Sequence, residues 1–193
     1  MQHAIVTRLT EAEYLRGEED GVIRHEYVAG QIFAMAGGSK AHNIISGNIF
    51  ANLRDHLRGS PCRTYIADMK VQIEHAEGAS YYYPDVVVSC APLDTAHDAP
   101  ANYLIAPILI VEVLSPGTES TDRREKMLAY ARLASLREYL LVDSQIRRVE
   151  IYRKNMHGGW EVDIPAPEEL VQLESVAIKL NFAEIYEESG IEL

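Results

Sequence analysis

Three residues in this chain have types and settings that could do chemistry together: Asp85, Glu112 and Lys126. Glu112 interrupts the branched apolar run from Ile108 to Val113, and Asp85 follows Pro84 in the similar run PDVVVS. Such a run reads as a strand buried on both faces of a sheet, where a lone carboxylate is costly unless a cation or a proton compensates it. Ser115, Pro116 and Gly117 stop the later strand. Asp122 with Glu125 three residues on is a capping-box pattern, starting a helix whose opening turns hold Lys126. At helical spacing this lysine shares a face with Tyr130 and Leu133 rather than with Glu125 and Arg132. Two acids and a lysine at strand ends suit metal-assisted chemistry on a phosphate. The bland alternative has Asp85 capping a turn, Glu112 paired with an arginine and Lys126 snorkelling against Asp122 or Glu125. Two acids in successive apolar strands weigh against it.

The elements that must position these residues are legible along the chain. Thr10 and Glu13 form a capping box for a short helix over Glu11 to Arg16, and the acidic GEEDG marks a loop. IRHEYVAGQIFAM predicts a hairpin turning at Ala29-Gly30. After Gly37-Gly38-Ser39, a helix is expected from about Ala41 to Leu57, with His42, Ile45, Ile49 and Leu53 on one stripe. His42 therefore points inward at its first turn. CRTYIADMKVQI, YYYPDVVVSC and PILIVEVLS read as three strands, and Ala91 to Pro107 as a long, partly irregular connection. A helix from Asp122 to about Ser135 and the strand EYLLVD follow. RRVEIYRK and WEVDI form a hairpin, and SVAIKLNFAEIYEESG a strand and a short helix. The expected architecture is α/β: helix, three strands, helix, strand at the centre, with an N-terminal hairpin and a C-terminal hairpin and strand added.

At 193 residues the chain fits one domain spanning 1–193. Cys62 and Cys90 lack CxxC spacing, so neither a zinc site nor a disulfide framework is expected. No apolar stretch has the length of a signal core or a membrane span, which predicts a cytoplasmic protein with no membrane partner. The net charge of −11 argues against strong non-specific nucleic-acid binding, which rests on phosphate neutralisation by Lys and Arg. Arg123-Arg124 and Arg147-Arg148 are the dense basic pairs that could contact a backbone.

The order of elements, with an acid after proline in one strand and an acid inside the next, resembles the PD-(D/E)XK nuclease superfamily. Within it the chain is similar to the Uma family of endonucleases, from about Leu9 to Tyr186. The resemblance rests on RHEYVAGQIFAMAGGSKAHNIISGNIFANL, YPDVVVSC, ILIVEVLSPGTESTDRREKMLAY and LREYLLVD. It implies a restriction-endonuclease-like fold in which acids bind Mg²⁺, or Mn²⁺, and activate a water against a phosphodiester of DNA. Asp85 matches the aspartate of the family's PD and Glu112 the second acid. The usual lysine position, two residues past Glu112, holds Leu114, and Lys126 is the replacement the family implies. Glu26 in HEYVAG is an extra acid candidate, and His42 a proton shuttle or ligand with a hydrogen-bonded, half-buried histidine as its alternative. Asp68 could contribute if strand alternation turns it inward. Ser115 and Thr118 read as turn and cap residues, and Tyr81, Tyr82 and Tyr83 as packing or dimer contacts before base-stacking ones. Cutting both strands of a duplex needs two sites, so a homodimer is expected. The competing class is a catalytically silent nuclease-fold module for nucleic-acid or protein interaction, which Leu114 and the net acidity favour.

Overall fold

A computed structural model of the chain describes residues 8–35, 37–76, 78–117 and 119–192. Thr118, expected in a turn, lies outside them. Two sheets meet at the centre. One has six strands in the order β11 (Trp160–Asp163), β10 (Val149–Lys154), β9 (Glu138–Asp143), β8 (Leu109–Leu114), β6 (Val86–Ser89), β3 (Arg63–Ile66). The other has five in the order β2 (Gln31–Ala34), β1 (His25–Val28), β5 (Gly78–Tyr82), β4 (Lys70–His75), β7 (Tyr103–Leu104).

The six-stranded sheet is built on β6 (Val86–Ser89), β8 (Leu109–Leu114) and β9 (Glu138–Asp143). Every residue of β6 and β8 is buried, Ser89 and Glu112 included. β8 pairs β9 in parallel and β6 antiparallel. β3 (Arg63–Ile66) closes one edge, and the hairpin β10 (Val149–Lys154) and β11 (Trp160–Asp163) extends the other. Alternation assigns the two faces. Val86, Val88, Leu109, Val111 and Val113 pack under α2 (Lys40–His56), whose stripe Ile45, Ile49 and Leu53 is fully buried. Each of those three side chains contributes about 1.5–3 kcal/mol by leaving water. Ser39 caps the helix by accepting the His42 N–H. Val87, Ile110 and Leu114 face the other way, toward the five-stranded sheet and Tyr130. Glu112 sits between Ile110 and Leu114 and so shares that face.

The five-stranded sheet is where the sequence reading needs correction. CRTYIADMKVQI is not one strand but β3 and β4 (Lys70–His75), and YYYPDVVVSC is β5 (Gly78–Tyr82) and β6. Each segment changes sheet at its middle. Ala67, at positive φ, turns the first and donates its N–H to the Asp85 carbonyl; Pro84 breaks the second. Asp85 therefore sits at the seam between sheets. The hairpin β1 (His25–Val28) and β2 (Gln31–Ala34) turns at Ala29-Gly30 as expected, both residues at positive φ. α1 runs Glu11–Asp20, past the expected end at Arg16, because Glu18 is buried and bonded to Tyr83 and His25. The connection after Ala91 holds α3 (Pro92–Thr95) and the two-residue β7 (Tyr103–Leu104), and a strand β12 (Leu170–Leu173) that the sequence does not announce pairs β13 (Ile178–Asn181) before α6 (Phe182–Tyr186).

Two further expectations are overturned. Cys62 and Cys90 form a disulfide across β3 and β6, one step beyond the Arg63–Ser89 pair in the register. Their separation of 28 residues hides this, because only strand pairing brings them together. The helix expected from Asp122 begins earlier, at α4 (Glu119–Thr121), passes through one π-helical turn at Asp122–Lys126 and ends as α5 (Met127–Tyr130). Asp122 is thus a buried residue within the helical segment, not its cap.

A carboxylate cavity closed by one lysine

A cavity of about 370 Å³ opens at the seam, and Glu26, His42, Asp85, Glu112 and Lys126 all line it. Each arrives from a different element. Glu26 comes from β1, His42 from the first turn of α2, Asp85 from the bend before β6, Glu112 from β8 and Lys126 from the π turn. Asp68 does not join them; it is exposed and faces Arg24 at 3.7 Å. Tyr81 and Tyr82 pack in the interior, and Tyr83 lines the cavity while its N–H donates to Glu26.

Lys126 stands among the acids. Its Nζ lies 2.8 Å from Glu26, 3.1 Å from Glu112 and 3.2 Å from Asp122. Tyr130, one turn on, donates its hydroxyl to the same Glu112 Oε1 at 2.9 Å. Burial pushes the Glu112 carboxyl well above the usual carboxylate range, and the neighbouring acids add to that while Lys126 opposes it. Desolvation opposes the lysine's charge, but Glu112, Glu26 and Asp122 outweigh it and hold the ammonium well above its ordinary value. The rise in Glu112 comes first from burial, and the rise in Lys126 from the acids around it. Three carboxylates share one ammonium, so the cluster favours whatever positive charge it can hold.

Asp85 forms the other half. Its Oδ2 accepts the Val113 N–H at 2.7 Å and lies 3.3 Å from His42 Nε2. The hydrogen bond to Asp85 raises the histidine's pKa, against desolvation, and the Val113 carbonyl reinforces it. Gly38 fits against this ring: a Cβ there would stand 2.7 Å from His42 Nδ1. Gly38→Ala is therefore expected to displace the imidazole and lower its pKa toward the ordinary 6.5, as read by NMR titration. A raised folded pKa contributes stability present below the unfolded value and lost as pH rises through the folded one. The variant should lose that pH-dependent component as well.

Asp122 is the site residue absent from the sequence-derived set. Its Oδ1 is buried and, though close to Lys126, has no aligned hydrogen bond among the described residues. The capping-box pattern masked it; its i, i+4 spacing to Lys126 was the available signal.

Among the described residues no three His, Cys, Asp or Glu side chains converge as a ready-made metal cage. The donor chemistry nevertheless fits a hard divalent ion. Acids exceed cations, Asp122 Oδ1 has the Lys126 ammonium beside it but no hydrogen bond among the described residues, and Asp85 and Glu112 take their described contacts through one oxygen each. Mg²⁺ keeps several waters and can be held by two carboxylates with substrate phosphate.

Mixed sheets, interspersed helices and an acid-lined cavity at strand ends make this an α/β protein resembling the restriction-endonuclease-like topology. A solved structure described as a putative nuclease belonging to DUF820, from Anabaena variabilis, superposes with a TM-score of 0.75 at 20% identity, covering 92% of this chain and 97% of that one. The chain belongs to the Uma2 family, described as "Putative restriction endonuclease", whose model matches residues 11–183. Two relatives from Synechocystis sp. carry the names uncharacterized protein slr1290 and uncharacterized protein sll1609. The first is 37% identical and covers 93% of this chain and 92% of its own; the second is 36% identical and covers 79% and 84%. Among the described residues no helix is long and apolar enough to cross a membrane.

Proposed function

We propose that this chain engages nucleic acid through the seam cavity and hydrolyses a phosphodiester there. The observation that supports it most is the convergence of Asp85, Glu112 and Lys126, from three separate elements, on one cavity. Asp85 and Glu112 would hold Mg²⁺ or Mn²⁺, which when bound supplies Lewis acidity and an activated water. Lys126 directs a compact positive charge toward the place where negative charge develops on the phosphoryl oxygens. Tyr130 and Lys126 fix Glu112 by binding one of its oxygens, and Val113 and His42 do the same for Asp85.

The second reading is a nuclease-fold module that binds without cutting. The engagement of Lys126 by three carboxylates favours it, since a lysine so paired neutralises the acids a metal would otherwise meet. Labelled single-stranded and duplex oligonucleotides incubated with Mg²⁺ or Mn²⁺ decide between them. Metal-dependent cleavage lost in Asp85→Asn supports hydrolysis. Binding without cleavage supports the silent module, and neither binding nor cleavage removes both nucleic-acid readings and leaves only a protein-interaction module. A homodimer belongs to the proposal only for cutting both strands of a duplex; a chain monomeric in sedimentation removes that part and leaves single-strand or structure-specific cutting.

A further inference from the structure

The cavity has an apolar wall as well as an acidic floor. On the β1–β2 hairpin Phe33 stands directly across from Glu26, so the two side chains share a face about 5 Å apart at Cβ. Glu26 is the carboxylate nearest Lys126, which places an aromatic ring beside the ion-paired end of the site. Phe33, Met35 and Val28 all line the cavity, and Phe33 is 50% exposed. The other rings of this region are committed elsewhere: Tyr27 and Tyr81 to the cluster with Tyr14, and Tyr82 to Tyr130. Among the described residues Phe33 makes no ring contact of this kind.

Two further observations say what the ring could receive. Glu112 and Lys126 are only 4% and 6% exposed, at the floor of a concavity sized for one small ligand rather than a groove tracking a double helix. A phosphodiester reaches them most easily when its nucleotide is out of the base stack. Several arginines are also taken up by acids: Arg123 is held by Glu119 and Glu150, Arg148 by Glu150, and Arg153 by Glu138, in a chain of net charge −11. That favours contacts that do not depend on neutralising phosphates, and base stacking on an aromatic ring is one.

We infer that Phe33 is a stacking platform for an unpaired base next to the phosphate at the site, so that single-stranded or locally unpaired nucleic acid is the preferred substrate class. This rests on the reading of the cavity as a nucleic-acid site and not on whether it cuts. The stacked base sits on the hairpin, with its phosphate toward the cavity mouth.

The test is binding of a short oligonucleotide carrying one 2-aminopurine, single-stranded and as a duplex, with Ca²⁺ or with chelator in place of Mg²⁺. The single strand is expected to bind at least about tenfold tighter, with quenched 2-aminopurine fluorescence and a shallow salt dependence. Phe33→Ala should lose about tenfold or more in affinity for the single strand together with the quench, and Phe33→Trp should keep both. Phe33→Leu, apolar but not aromatic, should behave like alanine, which separates stacking from simple burial. Circular dichroism and melting of each variant show that it folds. Single-strand binding indifferent to Phe33, or a preference for the duplex, overturns the inference alone. Binding to neither form overturns the nucleic-acid reading and the inference with it.

Discussion

Lys126→Ala is expected to destabilise the fold by about 3–5 kcal/mol at neutral pH, the range for leaving buried charge without its partner. Glu26, Glu112 and Asp122 would then face one another without the ammonium that lies within 3.2 Å of each. The deficit should shrink as pH falls. Glu112 already has a raised folded pKa, and loss of Lys126 removes the contact that opposes the rise. A carboxyl with a raised folded pKa binds its proton more tightly folded than unfolded. Its contribution is therefore complete below about 4.5 and lost as pH climbs through the folded value. Mn²⁺ or Mg²⁺ should also restore stability, since an ion that binds only the folded chain favours it by mass action. Any cleavage should fall by about 10²-fold or more, as for loss of a group that stabilises developing charge. Urea denaturation across pH, with and without metal, gives the answer. A small deficit indifferent to pH would mean that Lys126 does not hold the carboxylates together.

Glu112→Gln should behave in the opposite way, abolishing metal-dependent cleavage while leaving stability within about 1 kcal/mol of the parent. The amide oxygen can still accept from Tyr130 and Lys126, and Lys126 retains Glu26 and Asp122. What disappears is the charge whose desolvation raises the pKa. The variant's stability should accordingly fall less than the parent's as pH rises from 4.5, because glutamine has no proton to lose. Melting curves at several pH values and a cleavage assay on the same preparation test both halves. An unfolded Glu112→Gln protein would make the carboxylate structural, and a folded one that still cuts would remove it as a metal ligand.

The acids were legible because a carboxylate inside an apolar strand needs an explanation, and β6 and β8 are apolar enough to make Asp85 and Glu112 conspicuous. The stripe on α2 placed His42 for the same kind of reason: helical period fixes a face. The two-sheet arrangement was not legible. Pro84 marks the break in YYYPDVVVSC and Ala67-Asp68 the one in CRTYIADMKVQI, but nothing local says that the chain crosses into a second sheet there. The Cys62–Cys90 link depends on that same pairing, and β12 follows directly on the proline- and acid-rich IPAPEE, which reads as loop. Asp122 was misplaced because one local pattern, acid then acid three residues later, serves equally for a cap and for a buried pair with Lys126.

The wide turn at Asp122–Lys126 lets the site tolerate a change in the count of residues while their kinds stay fixed. A π turn accommodates one residue more than an α turn. Removing Arg124, whose side chain is exposed, would let the segment close as ordinary helix with every cavity-lining side chain still encoded. Asp122 and Lys126 would then stand three apart in an α-helix, which keeps them neighbours on one face. A homologue shorter by one residue here would show a gap between the two in an alignment and still bring both to the cavity.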